Sequence, residues 1–218
     1  MKTIGILLAA GKSTRCNCLK QFTALGNKSA VQLCIDEMVS SGIFSEIIIV
    51  VAEDQFVSFD CQHHTAVTGG KTRIESILNG ALACPKCDCV IFHDAARPYF
   101  PAWGYREMIA MFKEQPARPM AVEQYVKDSM IHEVKDLVSV DRSNYIRIQT
   151  PNAFPLGLLL QITEEMVNGN SKADSVFGEY VASNRPYNLF PGDNIFNDKI
   201  TTHGDLIHAR SHFCKEQF

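Results

Sequence analysis

The sequence predicts an α/β fold: a three-layer sandwich on a mostly parallel sheet, with a β-arm protruding from it. Three observations predict it. Short continuous apolar runs alternate with segments whose apolar residues recur at helical spacing, the pattern of a sheet buried on both faces by helices. Loops bearing Gly, Lys and Arg follow several of the runs. Between residues 126 and 148 the rhythm breaks, and apolar and polar residues alternate with no helix-length apolar face.

Residues 3–9 (TIGILLA) are an apolar run ending at a Gly-containing loop, and read as a buried strand. Residues 29–41 place Val31, Cys34, Ile35, Met38 and Val39 on one helical face, with Gly42 as the stop. Residues 46–52 (EIIIVVA) form a second buried strand, and residues 72–83 a helix with Ile74, Ile77, Leu78, Ala81 and Leu82 on one side. A third strand, residues 89–93 (CVIFH), leads into Asp94-Ala95-Ala96-Arg97-Pro98. Residues 103–113 are helical again, and residues 119–123 suit a further strand. Residues 126–148 then read as an antiparallel β-arm. Helices resume over 156–167 and 174–182, and a short strand at 187–190 precedes a loop and a helix over 204–213. The alternation makes residues 1–218 one Rossmann-like domain, with the arm as a subelement.

Composition excludes several classes. A chain of 218 residues buries roughly 70% of its unfolded surface and needs no metal or disulfide to fold. Hydrophobic residues at 46% and charged residues at 21% are ordinary for a globular protein. A net charge of −3 argues against a duplex-DNA binder that relies on counterion release. No apolar stretch approaches the ~20 residues of a spanning helix, and the run at residues 1–10 lacks a small-residue cleavage pattern. The eight cysteines therefore read as reduced thiols of a cytoplasmic protein. The C-x-x-C-x-C run at Cys84, Cys87 and Cys89 has no second pair to complete a zinc site.

In open α/β sheets ligands bind beyond the carboxyl ends of the strands, so the residues there carry the functional information. The first strand leads into Leu8-Ala9-Ala10-Gly11-Lys12-Ser13-Thr14-Arg15, with Lys20 shortly after. Small residues let backbone N–H groups approach an anion, and Arg15 and Lys20 add positive charge. The loop matches neither G-x-x-x-x-G-K-[ST] nor G-x-G-x-x-G. It reads either as another kind of phosphate loop or as a flexible loop with two solvated cations. Asp94 suits Mg2+ bridging phosphates or a helix N-cap. Arg97 can clamp a second anion, and Gly69-Gly70 places backbone donors before a helix. Three anion-competent loops on one rim point to a nucleoside triphosphate with Mg2+. The histidines form no H-E-x-x-H, and no G-x-S-x-G elbow is present.

Several motifs occur in order: L-A-A-G-K-S-T-R at 8–15, L-K-Q-F at 19–22, G-G-x-x-R-x-x-S at 69–76 and H-D-A-A-R-P at 93–98. V-K-D-S-M at 126–130, V-D-R at 140–142, T-P-N at 150–152 and N-D-K-I-T at 197–201 follow. Over nearly its whole length the chain resembles the 2-C-methyl-D-erythritol 4-phosphate cytidylyltransferases and their relatives, the ribitol 5-phosphate cytidylyltransferases. The resemblance implies a sheet of the nucleotide-diphospho-sugar transferase type and transfer of a cytidylyl group from CTP to a phosphorylated polyol, with release of pyrophosphate. It implies that Leu8, Ala9, Ala10, Gly11, Gly70, Ser76 and Ala95 bind CTP. Arg15, Lys20 and Lys199 would be catalytic, and Asp94 would hold Mg2+. Arg97, Thr150 and Asp174 would bind the acceptor, joined by Ser129 and Arg142 from a partner subunit's arm in a homodimer.

The chain departs from the family pattern at five places. Ala173 stands for a usual Thr, Ser129 for Thr, Asn152 for Gln, Ile131 for a common basic residue, and Lys71 for an often acidic one. Most of these fall on the acceptor side, so the expected reaction class holds and the acceptor stays open between the methylerythritol and ribitol phosphates. The stretch 194–202 resembles the ribitol branch slightly more. The alternatives are a nucleotidyltransferase of the same fold using another sugar phosphate or a phosphonate, and a non-catalytic CTP-binding relative.

Overall fold

The computed structural model describes residues 1–11, 13, 16, 19–56, 64–128, 130–131, 139–169, 173 and 175–215. Strand β1 (Thr3–Leu8) pairs in parallel with β2 (Glu46–Val51) on one side and β4 (Cys89–Asp94) on the other. An edge strand, β3 (Thr65–Thr68), runs parallel to β2. Beyond β4 lies β8 (Ile146–Phe154), antiparallel both to β4 and to β5 (Met120–Tyr125). β9 (Asn188–Pro191) closes the sheet parallel to β5, giving the order β3-β2-β1-β4-β8-β5-β9. The sheet is thus mostly parallel, as expected, with β8 as the reversed strand.

Strand side chains alternate between two faces, and each face is covered by helices. Leu7, Ile47, Ile49, Val51 and Ile91 meet α1 (Ala30–Ser41) and α4 (Ala102–Glu114) through Val31, Met38, Tyr105 and Phe112. Ile6, Val50, Val90, Phe92 and Phe154 meet α3 (Arg73–Leu82), α5 (Leu156–Val167) and α6 (Val176–Ala182) through Ile77, Leu159 and Phe177. These are the three layers. Helix ends follow their caps: the Ser29 side chain accepts from Gln32 N before α1, and Gly42 ends α1 in the left-handed conformation. The short helix α2 (Glu53–Phe56) follows β2. The final helix α7 (His203–Lys215) packs on a smaller cluster of its own. Among the described residues no helix is long and apolar enough to cross a membrane.

β8 is the element that sequence patterning misses. Its residues Gln149, Thr150 and Asn152 are polar yet buried, and it contains Pro151, which has no N–H for a ladder. The pairing with β5 shifts between Ala121 and Val122, which face Asn152 and Gln149 respectively. Thr150 and Pro151 therefore form the bulge, where a missing donor costs least. Residues 146–148, read as the end of the arm, begin this strand. The arm itself is present as β6 (Met130–Ile131) paired antiparallel with β7 (Ser139–Val140) in a separate small sheet. α6 starts at Val176 behind a Ser175 cap, two residues later than its pattern suggests.

Candidate active site

The carboxyl ends of β1 and β4 lie side by side, with Leu8 in register with Asp94. Beyond them a cavity of about 400 Å3 opens between the loop after β1, the N-terminus of α3 and the loop after β9. Gln21 shapes the first wall. It is buried; its Nε2 donates to the carbonyls of Ala9 at 2.9 Å and Gly11 at 2.8 Å, and its Oε1 accepts from Ser13 Oγ at 2.9 Å. One side chain thus ties both ends of the Ala9–Gly11 turn.

The second wall is built on a capping box. Thr72 accepts from Glu75 N at 3.1 Å while Glu75 accepts from Thr72 N at 2.9 Å. Ser76 Oγ accepts from Gly70 N at 3.1 Å and donates to the Thr72 carbonyl at 2.9 Å. The loop comes so close to the β1 turn that a Cβ on Gly69 would lie 2.5 Å from Ala10 Cβ and 2.9 Å from Ser76 Oγ. Glycine is required there by contact.

Asp94 sits on the floor of the cavity between two cations. Arg73 donates to Oδ1 from Nε at 3.1 Å and Nη2 at 3.0 Å, and Lys199 Nζ donates to Oδ2 at 2.7 Å. Burial alone would raise the Asp94 pKa; the charges of Arg73 and Lys199, with the Lys199 hydrogen bond, outweigh it and hold the carboxyl well below the usual range. Its backbone N–H donates to Thr150 Oγ1 at 3.1 Å, so β8 fixes the end of β4. His93, beneath it, is fully buried with Nε2 2.9 Å from the Arg97 carbonyl. Burial lowers its pKa to about 4. A neutral ring donating from Nε2 is a loop anchor and not a base at neutral pH.

Behind Asp94, Arg97 Nη1 donates to the Asn197 carbonyl at 2.7 Å. Asn197 Nδ2 donates to Gln149 Oε1 and the Thr150 carbonyl, both at 2.9 Å. Two buried polar atoms in this group have no hydrogen-bond partner: Arg97 Nε, a donor, and Asn197 Oδ1, an acceptor. Orphans of this kind are costly, and neither residue lines the cavity. Desolvation lowers the Arg97 pKa to about 10 against the pull of Asp94, which leaves it charged at neutral pH.

The structure brings Leu8, Ala9, Ala10, Gly11, Lys20, Gly70, Ser76, Asp94 and Lys199 to one cavity. Ala95 lies buried behind the wall with its N–H donating to the Leu8 carbonyl, and Ala96 lines the cavity in its place. Arg97 and Thr150 flank Asp94 from behind. Arg142 is exposed at the root of the arm, where its guanidinium bonds the Lys127 carbonyl. Arg15, Ser129 and Asp174 lie outside the described residues. Arg73 and Gln21 also line the cavity, and sequence reading did not single them out. Both stand inside the G-G-x-x-R-x-x-S and L-K-Q-F motifs, so the signal was their place in those motifs. Of the departures from the family pattern, Asn152 is buried and bonds the Gln149 and Pro151 carbonyls, which makes it a strand residue, while Lys71 lines the cavity.

Among the described residues no group of three or more His, Cys, Asp or Glu could hold a metal. Asp94 is a single hard-oxygen donor beside cations that suit phosphates. Magnesium commonly binds through one or two carboxylates plus substrate phosphates, so this donor set fits a metal shared with a triphosphate and not a protein-held metal centre. Such a metal would take an Asp94 oxygen now held by a cation.

The family model described as 2-C-methyl-D-erythritol 4-phosphate cytidylyltransferase matches residues 3–214. The bifunctional enzyme IspD/IspF of Bartonella bacilliformis is 30% identical over 233 residues, covering 99% of this chain and 57% of its own length. The 2-C-methyl-D-erythritol 4-phosphate cytidylyltransferase of Clostridium acetobutylicum is 30% identical over 223 residues, covering 94% of this chain and 95% of its own. The chain thus spans 57% of the length of the bifunctional relatives it matches. The crystal structure of 4-diphosphocytidyl-2C-methyl-D-erythritol synthase from Anaerococcus prevotii aligns with a TM-score of 0.81 at 21% identity, covering 97% of this chain and 98% of that one. This last likeness shows the fold. The match of the family model, running from β1 into α7, shows more: the chain belongs to the 2-C-methyl-D-erythritol 4-phosphate cytidylyltransferase (IspD) family.

Proposed function

We propose that the chain transfers the cytidylyl group of CTP to 2-C-methyl-D-erythritol 4-phosphate. An acceptor phosphate oxygen attacks the α-phosphorus, the bond to the β-phosphate oxygen breaks, and pyrophosphate leaves with that electron pair. The observation that carries this reading is Asp94 held between Arg73 and Lys199 on the floor of a cavity whose walls are two close-approach loops. The nucleophile is already anionic, so no base is needed, in keeping with a neutral, buried His93.

The chain's own residues supply placement and charge, which is most of what such a transfer demands. Gly70, Ser76 and the Leu8–Gly11 turn would hold the nucleoside, with Lys20 and Lys199 against the phosphates; Arg15 is assigned with them on family pattern alone. Asp94 would hold Mg2+, which supplies charge neutralisation on the triphosphate when bound. Arg97 and Thr150, beside Asp94, would bind the phosphorylated polyol in this reading, Arg97 supplying positive charge. Ser129, Arg142 and Asp174 join the acceptor site in this reading, the first two from a partner's arm in a homodimer; the separate β6–β7 sheet is the support for that exchange. The phosphorylated substrates do not cross membranes unaided, which favours action in the cytoplasm.

The test is pyrophosphate release with CTP and Mg2+ against methylerythritol 4-phosphate, ribitol 5-phosphate, glycerol 3-phosphate and 2-aminoethylphosphonate. Highest kcat/KM with the first is expected. A preference for ribitol 5-phosphate would overturn the acceptor, and a preference for UTP the nucleotide. Tight CTP binding with background release for every acceptor would make the chain a binding protein.

A further inference from the structure

Lys20 and Lys199, two of the three lysines that line the cavity, come from distant loops, and one carboxylate stands where those loops meet. Asp205 lies in the first turn of α7. Its Oδ2 accepts from Thr201 N and Thr202 N, both at 2.8 Å, and its own N–H donates to Thr202 Oγ1 at 3.3 Å. This reciprocal cap holds the two residues that follow Lys199-Ile200. Ile200 N in turn donates to the Ala96 carbonyl at 2.8 Å, which ties the same loop to the wall beside Asp94.

The same helix grips the Lys20 loop. Leu206 and Ala209 pack with Ile200 against Cys16, Leu25 and Ala30 in one buried cluster, and Arg210 Nε donates to the Ala24 carbonyl at 3.2 Å. The Asp205 carboxylate also feels the Lys20 charge. Burial raises its pKa, and the N–H groups of Thr202 and Thr201, the Thr202 hydroxyl and Lys20 together bring it below the ordinary value.

We propose that Asp205 is a positioning residue for the transfer reaction: by capping α7, the helix that grips both loops, it sets Lys20 and Lys199 at one spacing across the triphosphate. The role in catalysis rests on the function proposed above; the joint between the loops does not. Asp205 touches no reacting atom. It acts through the two lysines, and a displacement of about 1 Å in such groups can cost on the order of 100-fold in rate.

A double-mutant cycle with an exchange measurement tests it. Asp205→Ala is expected to lower kcat roughly 10- to 100-fold with a smaller change in KM for CTP. In a Lys20→Met background the same substitution should cost clearly less than in the wild type, because only its effect through Lys199 remains and coupled sites are not additive. Asp205→Asn keeps one acceptor oxygen for the cap but loses the charge, and should fall between. Equal losses in both backgrounds would show a purely structural cap and overturn the proposal, as would an unchanged kcat. Amide hydrogen exchange reads the joint without turnover: Asp205→Ala should raise exchange in residues 19–25 as well as 199–205. A rise confined to 199–205 would overturn it. If the wild type releases no pyrophosphate with any acceptor, the proposed function fails while the exchange result still decides the joint.

Discussion

Lys199 Nζ donates to Asp94 Oδ2 at 2.7 Å, joining the loop after β9 to the end of β4 across 105 residues of chain. Arg73 fills the other oxygen, so a site built for a polyanion neutralises its own carboxylate before the ligand arrives. The two cations are each about one-third exposed at the side chain, so the pairs add little to stability, within roughly 1 kcal/mol each. Their value is in placing charge.

Lys199→Met should therefore leave the melting temperature almost unchanged while lowering kcat on the order of 10²–10³-fold, the loss expected when one charge-stabilising donor is removed. Steady-state pyrophosphate release beside thermal unfolding checks both halves.

Lys20→Ala should cost a similar 10²–10³-fold in turnover with an unchanged circular dichroism spectrum. Near-normal turnover in this variant would remove Lys20 from the catalytic set.

Gly69→Ala places a methyl group 2.5 Å from Ala10 Cβ, forcing the β1 turn and the α3 loop apart. Calorimetric titration should show CTP affinity weakened by at least about tenfold, since misplacement of a close backbone cradle is felt directly at the ligand. Gly157→Ala in α5, away from the cavity, is the contrast, because a Cβ there meets nothing within 4 Å.

Gln21→Leu keeps approximate volume but removes the donor to two carbonyls and the acceptor for Ser13. Leaving the buried Ala9 carbonyl without that partner should destabilise the chain by about 1–3 kcal/mol, read as a lower urea midpoint. A raised KM for CTP should accompany it.

His93 makes stability depend on pH with a definite sign. Its pKa falls from 6.5 to about 4 on folding, mainly through burial, so between those values the unfolded chain binds a proton that the folded chain refuses. Stability is then full above about pH 6.5 and is lost as pH falls toward 4, by up to roughly 3 kcal/mol. Urea midpoints measured from pH 7 to 4.5 should drop, and His93→Gln, which can still donate to the Arg97 carbonyl, should flatten the drop. Asp94, held below its ordinary value, contributes only at more acidic pH.

Much of this molecule was legible in its residues because the signals are local. Buried parallel strands must be apolar on both faces, as the E-I-I-I-V-V run is, and helices must show their 3.6-residue period, as Val31 to Met38 do. Ligand loops must follow strands, so Gly11, Gly70 and Asp94 could be placed on one rim from their order alone. What only tertiary structure decided lies where distant residues satisfy one another. β8 buries polar residues because Gln149 and Thr150 find partners from β4, β5 and the Asn197 loop and Asn152 bonds carbonyls of its own bulged strand, which no periodicity predicts. Ala96 faces the cavity and Ala95 does not, although the two are identical in type, because the Ala95 N–H turns back to Leu8. Arg73 and Lys199 share a carboxylate, and Asp205 joins two loops, only once the sheet has stacked β1, β4 and β9 in space. The local pattern determined which elements form and where charge gathers; the folded chain determined which charges meet, because electrostatic and hydrogen-bond energies depend on separations in space and not along the sequence.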